Sequence, residues 1–104
     1  TINNGCMWAH AGGHKGPLRK LFTRENNTMK MLTLDSMPFE KTTIPLEVRK
    51  GTLVLLHGRL PHYSKENLST KSRHAYTLHV IDGKSIYPKE NWLQRDGLEL
   101  KGFI

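Results

Sequence analysis

The sequence predicts an all-β chain, on three observations. Short apolar runs are separated by glycine, proline and asparagine at the spacing of turns. Residues 73–81 alternate, with Arg73, Ala75, Thr77 and His79 on one side and His74, Tyr76, Leu78 and Val80 on the other, the period of a strand. No internal repeat or low-complexity tract interrupts the pattern, and 104 residues suffice for one small domain. We therefore expect a single domain over residues 1–104.

Taken in order, Asn3-Asn4-Gly5 is a turn signal, and the apolar run Cys6-Met7-Trp8-Ala9 after it has strand character until Gly12-Gly13. From His14 to Asn27 the chain carries Lys15, Arg19, Lys20 and Arg24 with little periodicity. That stretch reads as a basic exposed loop of the kind that carries substrate contacts. Met29 to Leu34 reads as a strand ended by Asp35-Ser36 and Pro38. Ile44 to Val48 reads as a strand that Pro45 confines to an edge or bulge. A turn at Arg49-Lys50-Gly51 leads into an apolar strand over Thr52 to His57, and Gly58 and Pro61 bracket the turn before His62-Tyr63-Ser64. A polar loop, Lys65 to Ser72, precedes the alternating strand 73–81. Beyond Asp82 the chain is polar, anchored by Tyr87-Pro88 and Trp92-Leu93.

Lys and Arg outnumber Asp and Glu by 16 to 9, giving a formal charge of +7, a bias toward anionic partners. A nucleic-acid module is disfavoured, because Trp8, Phe22, Tyr63, Tyr76 and Trp92 are not interleaved with the basic residues as a stacking platform requires. The longest apolar run, Leu53 to Leu56, falls far short of the ~20 residues of a membrane helix. The single cysteine, Cys6, excludes an internal disulfide and a cysteine-rich zinc site. With no signal peptide and no peroxisomal C-terminal signal in Lys101-Gly102-Phe103-Ile104, the expected location is intracellular, in the cytoplasm.

Six histidines raise metal binding first. His10 and His14 flank Ala11-Gly12-Gly13, a poor helix, while His57 and His79 sit in apolar or alternating runs where backbone hydrogen bonds satisfy a ring. His62 differs: it follows a Gly-x-x-Pro turn at the mouth of two strands. The eight residues 65–72 return the chain so that Arg73 opens the neighbouring strand and faces the same cavity. An inward arginine there needs an anion, and two partners stand open: a dicarboxylic small molecule held bidentately, or a salt bridge to Glu66 or Asp82.

The run Gly51-Thr52-Leu53-Val54-Leu55-Leu56-His57-Gly58-Arg59-Leu60-Pro61-His62-Tyr63-Ser64-Lys65-Glu66-Asn67-Leu68-Ser69, continued by Ser72-Arg73-His74-Ala75-Tyr76-Thr77-Leu78-His79, resembles the C-terminal half of the phytanoyl-CoA dioxygenase family. Asn4-Gly5-Cys6-Met7-Trp8 with Gly13-His14, and Glu90-Asn91-Trp92-Leu93-Gln94, extend the likeness over nearly the whole chain. The resemblance implies the C-terminal part of a double-stranded β-helix, a jelly-roll variant, incomplete without upstream strands. It also implies an iron(II)- and 2-oxoglutarate-dependent dioxygenase. His62 would be the distal iron-binding histidine and Arg73 the partner of the C5 carboxylate of 2-oxoglutarate. Ser64 would lie near the C1 carboxylate, and Asn67 near the cosubstrate. For both of these an ordinary turn role stands beside the implied one. A small-molecule substrate, an acyl-CoA or lipid-like compound, is likewise implied.

The facial triad of such enzymes needs two histidines and a carboxylate, and the family supplies the first two ligands from a His-x-Asp motif. Here the residues two places after His10, His14, His57, His62, His74 and His79 are Gly12, Gly16, Arg59, Ser64, Tyr76 and Ile81. With Thr1 in place of an initiating Met, the expectation is a C-terminal portion that is inactive and marginally stable alone, with no catalytic residue of its own. The alternative is a catalytically dead truncated form acting as an interaction module through strand addition.

Overall fold

In the computed structural model, residues 1–39, 43–95, 97–99 and 101–103 are described. Five strands form two antiparallel sheets: β1 Met7–Ala9, β2 Lys20–Glu25, β3 Thr28–Thr33, β4 Ile44–Leu46 and β5 His62–Ser64. Two 3-10 turns, Ile2–Asn4 and Gly13–Lys15, supply the helical residues, so the all-β expectation holds. Among the described residues no helix is long and apolar enough to cross a membrane. The chain divides into two compact units, Thr1–Leu18 with Met37–Tyr76, and Arg19–Ser36 with Thr77–Ile104.

In the first unit β1 lies between β4 and β5, with Trp8 opposite both Pro45 and Tyr63. Pro45 sits on an edge strand, as its missing N–H dictates. Side chains alternate across the pleat. Trp8 and Tyr63 therefore share one face, where their rings stack at 6.3 Å and 6°, with Lys65 Nζ 5.2 Å from the Trp8 ring. Ala9 and Cys6 are buried.

The turn that feeds β1 depends on Gly5, which sits at φ 75°. A Cβ there would lie 2.7 Å from the Lys65 carbonyl oxygen, because the loop after β5 packs against this turn and the Leu68 N–H donates to the Asn3 carbonyl at 3.2 Å. Gly5 thus serves both the left-handed conformation and the close approach of two backbones.

The second unit corrects one expectation. Residues 20–25, read as part of a basic loop, form strand β2, paired with β3 from Lys20↔Thr33 to Glu25↔Thr28. The two-residue turn is Asn26-Asn27, with φ 48° and 62°, the left-handed geometry that asparagine tolerates and hairpins favour. Charged residues at Lys20 and Arg24 obscured the alternation. Buried Thr23 donates its hydroxyl to the Lys30 carbonyl. Thr23 also bridges to Asn91, and the Arg24 N–H donates to the Glu90 carbonyl at 2.8 Å. Trp92 packs on Phe22 at 5.8 Å and meets His79 edge-on at 6.2 Å, and the Tyr87 hydroxyl donates to the Leu93 carbonyl. Tyr87 and Trp92 are thus the anchors expected of the tail.

A second correction concerns residues 52–57 and 73–81, which join no sheet among the described residues. A strand exists through its ladder, and among the described residues these segments find no partner strand. Val54 and Leu56 are half-buried, while Leu55 at 85% and Tyr76 at 90% exposure stand in solvent.

Gly5→Ala should destabilise the first unit by about 2 kcal/mol or more, since left-handed strain alone costs roughly 1–2 kcal/mol and the backbone contact adds to it. Gly51→Ala, at φ 88° with nothing within 4 Å of its added Cβ, should cost only the strain. Urea midpoints of the two variants, with exchange of the Leu68 amide as local readout, check this. Equal losses would show that the backbone contact is unimportant.

Candidate active-site residues on and after strand β5

The turn before β5 closes with the Leu60 N–H donating to the His57 carbonyl at 2.9 Å, and the Pro61 carbonyl accepts the His10 N–H at 3.0 Å. This second bond ties the start of β5 to the end of β1, beyond the pair Ala9↔His62. Gly13 is required here, because a Cβ would overlap the His10 ring and lie 2.8 Å from Pro61 Cδ. His62 therefore starts its strand from a braced turn.

The ring of His62 is exposed, and its Nδ1 lies 2.8 Å from the Leu60 carbonyl oxygen. That oxygen only accepts, so Nδ1 carries the proton and the Nε2 lone pair is left for a ligand-type interaction. Ser64, two residues on, lies on the same face of β5. Its Oγ accepts a hydrogen bond from Arg73 Nη2 at 3.3 Å, at the long end for such a bond. The structure thus brings Ser64 and Arg73 together on the side of β5 that carries His62.

Of the acids offered as partners for Arg73, Asp82 accepts the Lys84 N–H at 2.9 Å. Among the described residues no carboxylate bonds to Arg73. Asn67 does ordinary loop work: its Nδ2 donates to the Lys71 carbonyl at 2.8 Å, and its Oδ1 accepts from the Ser69 N–H and hydroxyl at 3.0 and 2.8 Å. That amide shapes the loop leading to Arg73 and is occupied in doing so.

The remaining histidines are arranged in a way their spacing did not reveal. His14 and His57 place their rings 4.9 Å apart. His57 Nδ1 accepts the Arg59 N–H at 3.1 Å, as a backbone-satisfied ring should, and Arg59 Nη2 donates to the Gly16 carbonyl. No cluster of three metal-ligating side chains occurs among the described residues.

Comparison with known proteins covers the stretch that holds these residues. The family model described as phytanoyl-CoA dioxygenase (PhyH) matches residues 1–75, the stretch that contains His62, Ser64 and Arg73. Over 96 residues the chain is 42% identical to "Phytanoyl-CoA dioxygenase" of Arabidopsis thaliana and 45% identical to "Phytanoyl-CoA dioxygenase 1" of Oryza sativa subsp. japonica, covering 91% of this chain and 34% of each relative. "Phytanoyl-CoA dioxygenase domain-containing protein 1" of Bos taurus is 37% identical over 98 residues, 89% of this chain and 34% of that protein. The chain spans about a third of the length of these curated relatives. No solved structure matches it. The motifs around β1 and β5 and this run of relatives agree: the chain belongs to the phytanoyl-CoA dioxygenase family of dioxygenases.

Proposed function

We propose that the chain is the C-terminal portion, a single functional region, of an iron(II)- and 2-oxoglutarate-dependent dioxygenase acting on a small molecule. It would supply one iron ligand and the cosubstrate clamp. The observation that carries this is the Arg73–Ser64 hydrogen bond on the face of β5 that also bears His62. A guanidinium with no carboxylate partner among the described residues, beside a hydroxyl that can turn to donate, is a receptor for a carboxylate.

His62 fits one vertex of a facial triad, with Nδ1 tied back to Leu60 and Nε2 presented outward. The two further ligands have no counterpart among the described residues, and a strand carrying them has a place to pair along the open edge of β5. When bound, iron(II) supplies activation of dioxygen and orientation of the keto acid. The chain's own work is to hold the distant carboxylate: Arg73 gives a fork of N–H donors and Ser64 a hydroxyl. The 3.3 Å between Ser64 Oγ and Arg73 Nη2 supports a place for Ser64 toward the C5 end of 2-oxoglutarate, beside the C1 end that the resemblance implies for it. Asn67 contributes indirectly, by shaping the loop that returns Arg73. An acyl-CoA or lipid-like substrate fits the same reading and rests on the resemblance.

In the protein of full family length, Arg73→Ala should raise KM for 2-oxoglutarate on the order of a hundredfold, as expected for lost charge-assisted bonds of ~1.5–3 kcal/mol. Ser64→Ala should raise it only about fivefold, for a neutral bond of ~1 kcal/mol. His62→Ala should abolish succinate formation. Wild-type kinetics in the Arg73 and His62 variants would sink the assignment.

The 104-residue chain alone should form no succinate from 2-oxoglutarate under saturating iron(II). Turnover by that chain would mean that its own residues complete the metal site.

A further inference from the structure

The second unit carries a groove of about 490 Å³ lined by Arg24, Asn26, Asn27, Lys89 and Gln94. None of the site residues His62, Ser64 or Arg73 belongs to this unit. Two cations meet there with three neutral amides, and among the described residues no carboxylate lines the groove. Its neighbours in sequence, Glu25 and Glu90, are not among the lining residues. We propose that this groove binds the phosphate or diphosphate group of a soluble small molecule.

The groove is built by backbone pairing. The left-handed turn at Asn26 and Asn27 sets both amides at the tip of the β2–β3 hairpin. The Arg24 N–H to Glu90 carbonyl bond and the Thr23–Asn91 bridge then hold Lys89 beside Arg24. The guanidinium is oriented by its Nη2 bond to Asn27 Oδ1 at 2.8 Å, which leaves its other N–H donors available. Gln94 is fixed through Nε2 by the carbonyls of Lys89 at 2.9 Å and Asn91 at 2.7 Å. Among the described residues neither Arg24 nor Lys89 is paired with an acid.

Charge selects the ligand. Arginine offers a planar fork that matches a phosphate, and lysine a mobile point charge. Together they balance a dianion. A monoanionic carboxylate would leave one cation unmatched.

The test is a titration of the purified protein with sodium pyrophosphate, followed by backbone amide resonances. Sodium chloride at matched ionic strength and vesicles of phosphatidylcholine with phosphatidic acid serve as separate arms. Saturable shifts confined to residues 24–27 and 89–94 are expected, weakened about tenfold by Lys89→Gln and by Arg24→Gln, the scale of a charged hydrogen bond. The Lys89 side chain makes no fold contact named above, so unchanged Thr23 and Met31 resonances in Lys89→Gln separate lost binding from lost fold. Shifts that chloride reproduces, or that spread equally to Lys15, Arg19 and Lys20, would overturn the proposal. Binding to vesicles without saturable pyrophosphate binding would assign the groove to a lipid surface and overturn it too.

Discussion

The stacking of Trp8 on Tyr63 governs the first unit, because it fixes the register of β5 against β1. With a side-chain period of two, a slip of one residue would carry Tyr63 to the opposite face and remove His62 and Ser64 from theirs. The ring pair, Lys65 over Trp8, and the Thr43–Tyr63 hydroxyl contact at 3.2 Å all act on the face away from His62. The chemistry-bearing face is thus held in place by packing on the other side of the sheet.

This arrangement rests on a very short strand. β1 has three residues and pairs along both edges, so its backbone hydrogen-bonding capacity goes to β4 and β5 alone. Two turns brace its ends. Gly5 leads in under the Lys65 carbonyl, and beyond Ala9 the His10 N–H reaches the Pro61 carbonyl. Each brace joins β1 to a segment flanking β5, so loop 65–72 and the turn before His62 are positioned by the same three residues. Asn67 then holds the loop's internal shape and delivers Arg73 to Ser64.

The strands that turn residues delimit were legible in the sequence: β4 behind its proline, β5 after Pro61, β3 between Asn27 and Asp35. β2 was not, since Lys20 and Arg24 make the run look like loop when burial is judged from composition. Only the pairing with β3 shows that Thr23 is the buried member. The opposite error arose at 52–57 and 73–81, where alternation is genuine and a ladder is missing. Alternation records the faces a segment presents when paired, and a sequence can carry it without containing the partner. The return of Arg73 toward the His62 strand was readable from the length of loop 65–72. The contact with Ser64 and the ring pair of His14 and His57 join residues far apart in sequence, and no local signal announces them.

The two halves of the proposed site share one dependence. Arg73 opens the alternating segment, yet the segment forms no ladder here, so Arg73 is held through a single bond at 3.3 Å to Ser64. His62 lies on a strand whose outer edge is open. An open edge and an unpaired alternating segment are both surfaces that backbone pairing stabilises, and the relatives carry about twice as much chain again as is present here. Pairing along β5 would bring further side chains beside His62, and pairing along 73–81 would stiffen Arg73. Metal affinity and cosubstrate affinity would then rise together, because both rest on the same completion of the sheet.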